Sequence, residues 1–598
     1  MFREDRRPQC LERLALREAV RFLSSAFDRR ALIISKQLFI STVISPLYFV
    51  GVLGLNGASA QIVVPWQSPT GLEVPAGCES PKISATRRTF YVDPMNGSAS
   101  GDGSEAHPWN SLKDLLANGL ISDHPRDADL PGNAAKVPQG APIRPGDVIL
   151  LENGNYGNIK IQGYYGSGKS ELIAYDNSDF ITIEAAPGAH PVLGDLLVTG
   201  GAKWIFRGLR IENVVSKVDR TSPYGHLVAL LGPHHDIIFD HNTVRSSAET
   251  SEWSQADWLA NAADGVMDEG QGYNGASCIT ITNNTIENIG NGIQSQRSDK
   301  VLIKGNTINY FIHDGIDYAS NNMTIQNNVE TNHIDAGDSA HVHPDFMQGQ
   351  PWGCTPAAQN CDTLSNVVID SNIAIRQTDP NLPFAKISLV AGAIQGIDTF
   401  DGQWYNVKVT NNVVITTTYH GIAYYGVHGA VIANNIVLSD GNSSSFIPWI
   451  TIQNQKSHTV SSDIVIRNNI TSGLNYAAET VGMQVDHNIC IATKGRCNLA
   501  LVFEGKLGHY SMPGEYGDHN LLDVNDASAL FKKFTVVDGC VTALDLNLLS
   551  KTPAVGTGNP ENAPTTDITG AARTLPYDLG AYRYGSSAPA AIGAKTEP

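Results

Sequence analysis

An asparagine that returns every 22 residues constrains this chain more than any other feature. CITITNNTIEN (278–288), KVLIKGNTINY (300–310) and NMTIQNNVETN (322–332) repeat one pattern, and their second asparagines are Asn284, Asn306 and Asn328. Looser copies precede and follow them: IIFDHNTVR (237–245), VVIDSNIAI (367–375), VKVTNNVVI (407–415), AVIANNIVL (430–438) and IVIRNNITS (464–472). Each copy alternates apolar and polar residues, meets Asn, and resumes with an apolar residue. Alternation of period two is the pattern of a strand with one buried face. The Asn marks a corner, because it tolerates left-handed backbone and its side chain bonds local backbone groups.

A coil of about 22 residues built from short strands and an Asn corner predicts a solenoid. The expected fold class is all-β: a single-stranded right-handed parallel β-helix with loop insertions on one edge. Ile and Val fill the interior and the asparagines stack as a hydrogen-bonded ladder. A leucine-rich repeat would need a repeated Leu framework, which the copies lack. The Asn-x-Ser/Thr triplets of the repeat are corner residues, so they are not read as glycan sites.

The ends of the chain set its expected organisation. Arg-rich residues 1–36 precede an apolar run from Leu38 to Leu55, and Ala58-Ser59-Ala60 gives a small-x-small cleavage pattern. Residues 1–60 therefore read as a targeting segment, with the mature chain beginning at Gln61 and holding no stable membrane insertion. Residues 61–87 follow as an extension, 88–585 as the β-helix and 586–598 as a tail. Eight cysteines suit an exported protein, extracellular or periplasmic. Short loops bracketed by Cys354 and Cys361, and by Cys490 and Cys497, predict two disulfides. Cys78, Cys278 and Cys540 have no assignable partner, and Cys10 falls in the leader. The net charge of −18 argues against a nucleic-acid partner. It also means that an anionic polymer would need a local basic patch or a bound cation.

FYVDPMNGSASGDGSEAHPWNSL (90–112), PGDVILLENGNY (145–156) and ITIEAAPGAHPVL (181–193) resemble the opening segment of pectin-lyase-like right-handed β-helix proteins. TPAVGTG (552–558) with YDLGAYRYG (577–585) is similar to their closing segment. The resemblance spans residues 88–585. It implies the fold and a secreted, monomeric protein acting on a polysaccharide. It leaves the reaction open, because the superfamily holds lyases, hydrolases, epimerases and phage depolymerases.

A second strand follows each Asn corner: DGVM (264–267), NGIQ (291–294), DGID (314–317), DFMQ (345–348) and HGIA (420–423). Their alignment puts Asp264, Asn291, Asp314, Asp345 and His420 at one position, and Gln294, Asp317 and Gln348 at another. Coils stack about 4.8 Å apart, so Asp314 and Asp345 are expected to be neighbours. Insertions at 245–263, 329–344 and 374–391 fall at one equivalent place and should wall a cleft over this strand face. They carry Trp253, Trp258, His333, His341, His343 and Lys386; a further loop carries Trp352.

The segment HVHPDFMQGQPWG (341–353) concentrates the chemistry. The expected catalytic residues are His341, His343, Asp345, Asp314 and Asp317. Gln348, Gln294, Arg297, Lys386, His420, Tyr424 and Trp352 are the expected substrate contacts. β-Elimination of a uronate would use His341 or His343 as base, with Arg297, Lys386 or a Ca²⁺ held by Asp314, Asp317 and Asp345 against the carboxylate. Hydrolysis or epimerisation would use a carboxyl pair from the same aspartates. The polygalacturonase motifs Asn-Thr-Asp, Asp-Asp, Gly-His-Gly and Arg-Ile-Lys are missing, as is the Asp-Pro-His-Glu/Asp motif of alginate epimerases. Elimination is the leading expectation, hydrolysis or epimerisation the second, and a non-catalytic polysaccharide-binding surface protein the third.

Overall fold

The computed structural model describes residues 72–82, 87–121, 141–162, 175–212, 225–270, 275–337, 344–354, 361–384, 394–441, 447–457, 459–476, 480–491, 520–524 and 526–586, with isolated short strands at 60–61, 164–165, 172–173, 500–503, 506–509 and 593–594. The chain divides into two units, residues 1–56 and 57–598. The first unit, which holds most of the expected targeting segment, lies outside the described residues, as do Cys10, His341, His343, Lys386 and Cys497.

The described residues between Thr89 and Val524 form the expected parallel solenoid, with three strand columns. The first column holds the strands before the Asn corner, such as His235–Asp240, Ala276–Thr282 and Thr363–Asp370. The second holds those after it, including Thr285–Ile289, Thr307–Phe311 and Val329–His333. The third holds His226–Leu231, Asp264–Glu269, Asp345–Gly349, Gln395–Thr399, His420–Tyr425 and Trp449–Gln453. The long strands Ile293–Lys304 and Ile316–Gln326 bend from the third column into the first of the next coil. Neighbours pair in parallel with like on like: Ile279, Val301, Met323, Val367, Val407, Ala430 and Ile464 form one interior row. Burial of such rows is the main favourable term in folding.

The corner asparagines form the expected ladder, from Asn242 through Asn284, Asn306, Asn328, Asn372, Asn412, Asn435, Asn469 and Asn488 to Asn520. From Asn284 onward, each side-chain oxygen accepts both the backbone N–H and the Nδ2 of the asparagine one coil earlier; Asn306 Oδ1 takes these from Asn284 at 3.0 and 2.9 Å. Each Nδ2 also donates to a main-chain oxygen, that of Asn306 to Ile281 at 2.8 Å. One detail differs from expectation. The left-handed residue is the one before the ladder asparagine: His241, Asn283, Gly305, Asn327, Ser371 and Asn411 all have φ between 55° and 69°. That frees the ladder residue's side chain to point inward.

The coil stack ends at Val524. Residues 526–586 instead cover the outer face of the second column: Leu530, Phe531, Val541, Leu546, Ile568 and Tyr582 pack on Ile373, Ile375, Ile415, Ile436 and Ile470. The closing segment thus buries a second apolar face that the coils alone would expose. At the other side, Leu72 and Val74 pack on Phe180, Ile205 and Ile238, and a Cys78–Cys278 disulfide fixes this extension across the first column. Cys354 and Cys361 are bonded as expected. Cys490 is disulfide-bonded, and Cys540 is a buried free thiol. Among the described residues no helix is long and apolar enough to cross a membrane.

Candidate active site

The three insertions pack on one another, as their common position predicts. Trp253 and Trp258 from the first, Ile334 and Ala336 from the second, and Leu382 and Phe384 from the third share one apolar cluster. The helix Gln255–Asn261 anchors it, with Ser254 and Asp257 forming a reciprocal cap. This wall stands where the second column turns into the third. Trp253 and Trp258 are therefore packing residues, and so is His333, which is buried against Phe311 and whose pKa burial lowers to about 3.

At the foot of the wall, the aligned position is a second ladder. Asp264 Oδ1 accepts the N–H of Asn291 at 2.8 Å, Asn291 Oδ1 that of Asp314 at 3.1 Å, and Asp314 Oδ1 that of Asp345 at 2.7 Å. His226 precedes this column and Gln395 and His420 continue it. A glycine follows at Gly265, Gly292, Gly315, Gly396 and Gly421. At Gly292, for example, an added Cβ would overlap the carbonyl oxygen of Gly315 in the next coil, which is why the motif reads D-G-I-D or N-G-I-Q.

The next outward row runs Met267, Gln294, Asp317, Gln348, Asp398, Ala423 and Thr451. With the ladder it forms two carboxyl pairs. In the first, Asp314 is pushed well above the usual carboxylate range by burial and then by the charges of Asp317 and Asp345, and it shares its proton with Asp317. Asp317 itself is raised to about 6, chiefly by burial, although Gln294 Nε2 donates to its Oδ2 at 2.6 Å. Gln294 Oε1 in turn lies 2.8 Å from His226 Nε2. In the second pair, Asp398 is fully buried and neither of its oxygens meets a donor group among the described residues. Burial, then the neighbouring Asp345, push its pKa well up, and the retained proton bonds Asp345. Gln348 Nε2 donates to Asp345 Oδ2 at 2.5 Å.

Asp398 was missed in the sequence although QGID (395–398) repeats the motif DGID; the 374–391 insertion breaks the spacing that leads to it. Glu330 was missed too. It occupies the interior position held by Ile286 and Ile308 in earlier coils. Its carboxyl is fully buried, neither oxygen has a partner among the described residues, and burial holds its pKa well above normal. It lies against Gly315, directly behind Asp314.

The structure thus brings together Asp314, Asp317, Asp345, Gln348 and Gln294. Arg297 and Trp352 meet at the far end of the strands, the guanidinium 4.4 Å above the indole and 3.9 Å from Glu269. His420 stands two coils beyond Asp345. Tyr424 does not face the groove: it points inward, fully buried, with its hydroxyl 2.9 Å from that of Tyr318, because alternation turns Ala423 and Tyr425 outward instead. The expected Ca²⁺ cradle does not fit. Among the described residues no three His, Cys, Asp or Glu side chains converge on a point that could hold a metal, and Asp314, Asp317 and Asp345 are instead tied up in pairs.

Residues 266–447 match the family model for the right-handed β-helix region. No curated protein matches the chain in sequence. Solved structures with a similar course include the pectate lyase Pel9A, 15% identical over 84% of this chain and 97% of that one with a TM-score of 0.35. Another is an alginate lyase from Paenibacillus sp. str. FPU-7, 15% identical over 67% and 99% with a TM-score of 0.34. A third is PfbA, a surface adhesin of Streptococcus pneumoniae, 10% identical over 67% and 90% with a TM-score of 0.32. Column, corner and family model agree that the chain folds as a right-handed parallel β-helix.

Proposed function

We propose that the chain is an exported enzyme that hydrolyses a polysaccharide in the groove over the third column. One observation carries the reading: two carboxyl pairs, Asp314 with Asp317 and Asp345 with Asp398, each combine a neutral acid with an ionisable partner. A solenoid needs no such clustering for stability, and buried like charges oppose it. Acid and base carboxyls on two sides of a glycosidic bond are what hydrolysis requires.

In this scheme a neutral carboxyl protonates the departing glycosidic oxygen while an ionised one takes a proton from the attacking water. The C–O bond to the leaving sugar breaks as the bond from water to the anomeric carbon forms. Asp317 and Asp398 are two coils apart in one row, roughly 9.6 Å at the coil spacing, which favours inversion over retention. Elimination from a uronate is the weaker reading, because the described part of the row holds no cation to neutralise the sugar carboxylate. Its proposed bases, His341 and His343, and the cation Lys386 lie outside the described residues. Export is supported by the Cys78–Cys278 and Cys354–Cys361 disulfides.

A polysaccharide panel assayed for reducing ends and for the ultraviolet absorbance of unsaturated uronates tests this. Hydrolysis gives reducing ends alone; new absorbance would return the elimination reading. Asp345→Asn should lower turnover by about 10³-fold, the scale of a lost acid or base, with the melting temperature kept or raised.

A further inference from the structure

The outward face of the third column changes character beyond Asp398. There the row continues as Ala423 and Thr451, and aromatic rings gather around the small residue. The ring centroids of Tyr419 and Trp449 are 5.0 Å apart, and those of Tyr419 and His420 4.4 Å. On the other side, Phe400 lies 5.2 Å from Tyr425 and 5.0 Å from His420. These rings are not core: the interior row beneath them is Ile397, Ile422 and Ile450. Tyr419 remains 37% exposed, and Phe400, Tyr425 and Trp449 are half-buried. The patch is continuous with the carboxyl groove, since Ala423 pairs with Asp398, and Phe400 follows Asp398 by two, just past the end of its strand.

A pyranose offers an apolar face of C–H groups, and a half-exposed aromatic cluster beside a polar groove matches it, whereas exposed rings without a ligand are a liability. Charge narrows the class. Of the four aspartates clustered there, Asp345 and Asp398 are fully buried and Asp314 and Asp398 hold their protons, which leaves Asp317 to present negative charge. Arg297, at the far end, is engaged by Trp352 and Glu269. A polymer with one carboxylate per sugar would be repelled there. We infer that the aromatic cluster around Ala423 is a sugar-binding subsite continuous with the carboxyl groove, and that it takes an uncharged pyranose polymer. This rests on reading the groove as the active site.

The test is binding of neutral hexasaccharides from xylan, cellulose and chitin, and of hexagalacturonate, followed by calorimetry and tryptophan fluorescence. Wild type, Tyr419→Ala, Tyr419→Phe and Asp345→Asn are compared, with thermal melting to confirm folding. At least one neutral hexamer should bind, about tenfold more weakly to Tyr419→Ala, while Tyr419→Phe keeps the ring and the affinity. Neutral binding unchanged in Tyr419→Ala overturns the subsite, and so does failure of all three neutral hexamers to bind. Hexagalacturonate bound more tightly than every neutral hexamer overturns the substrate class. Any of these can coincide with loss of hydrolysis in Asp345→Asn, which leaves the carboxyl reading standing. Full activity in Asp345→Asn beside Tyr419-dependent binding would do the reverse.

Discussion

Two side-chain ladders climb this solenoid, asparagine at every rung of one and mainly aspartate in the middle of the other. In the corner ladder, each asparagine oxygen takes two N–H donors from the coil below and each amide nitrogen finds two acceptors. In the third column the direction reverses: Asp264, Asn291 and Asp314 each accept the N–H of the rung one coil later. Where the rung is Asp, however, there is no Nδ2 to pass the ladder on. Donors run short and negative charge accumulates, until Asp314 and Asp398 keep their protons. A satisfied ladder serves the fold, and the unsatisfied one stores acid-base capacity at a cost in stability.

The largest effect that could break this contrast is on turnover. If the acid ladder were structural, Asp345→Asn would be silent in assays and destabilising in melts, the opposite of the outcome proposed above. The corner ladder should behave in mirror image. Asn306→Ala removes bonds to Asn284, Asn328 and Ile281 from a fully buried site. It should cost about 3 kcal/mol in denaturant unfolding, since groups left buried and unpaired lose most, and leave the kcat of the surviving folded protein unchanged.

Glu330 sharpens the comparison from inside the core. An unpartnered carboxyl in an apolar row is a net burden. Glu330→Leu should therefore stabilise the protein by roughly 1–2 kcal/mol, as replacement of buried ionisable groups by apolar ones often does. A destabilised Glu330→Leu would mean that the carboxyl has a partner outside the described residues.

How much of this could be read from sequence follows the same division. The fold was legible because a satisfied ladder repeats: Asn284, Asn306 and Asn328 keep one spacing, and the apolar alternation around them keeps one phase. The acid column was legible where coils kept that spacing, at Asp314, Asp317 and Asp345. It was lost at Asp398, behind an insertion. Glu330 was hidden by its helpful neighbours, since a single polar residue in VETN looks like loop chemistry until it is aligned on Ile286 and Ile308. Tyr424 and Tyr425 could not be told apart, because which of them turns outward is fixed by strand phase, which pairing with Thr399 sets. The Ca²⁺ expectation rested on counting carboxylates, which does not show that Asp314 and Asp317 lie against one another as a pair.

The smallest expected effect is the pH dependence of stability. Asp317 titrates at about 6 in the folded protein and at about 4 when unfolded. A raised carboxyl pKa means that the folded state holds the extra proton between those values. Stability is then greatest below about pH 4 and falls as pH rises towards 6, where the folded group also ionises. Asp314, Asp398 and Glu330, all raised, slope the same way. Asp240 slopes the opposite way, because hydrogen bonds from His241, Asn283 and Thr282 outweigh its burial and lower its pKa; its contribution is lost as pH falls through its folded value. Asp317→Asn removes one of the acid-favouring groups and keeps a side chain that Gln294 can still reach. Urea unfolding at pH 4, 5 and 6 should therefore show a shallower decline in stability for Asp317→Asn than for wild type. An equal slope in both would place the proton of the first pair entirely on Asp314 and leave Asp317 ionised throughout, a base with no share in the acid step.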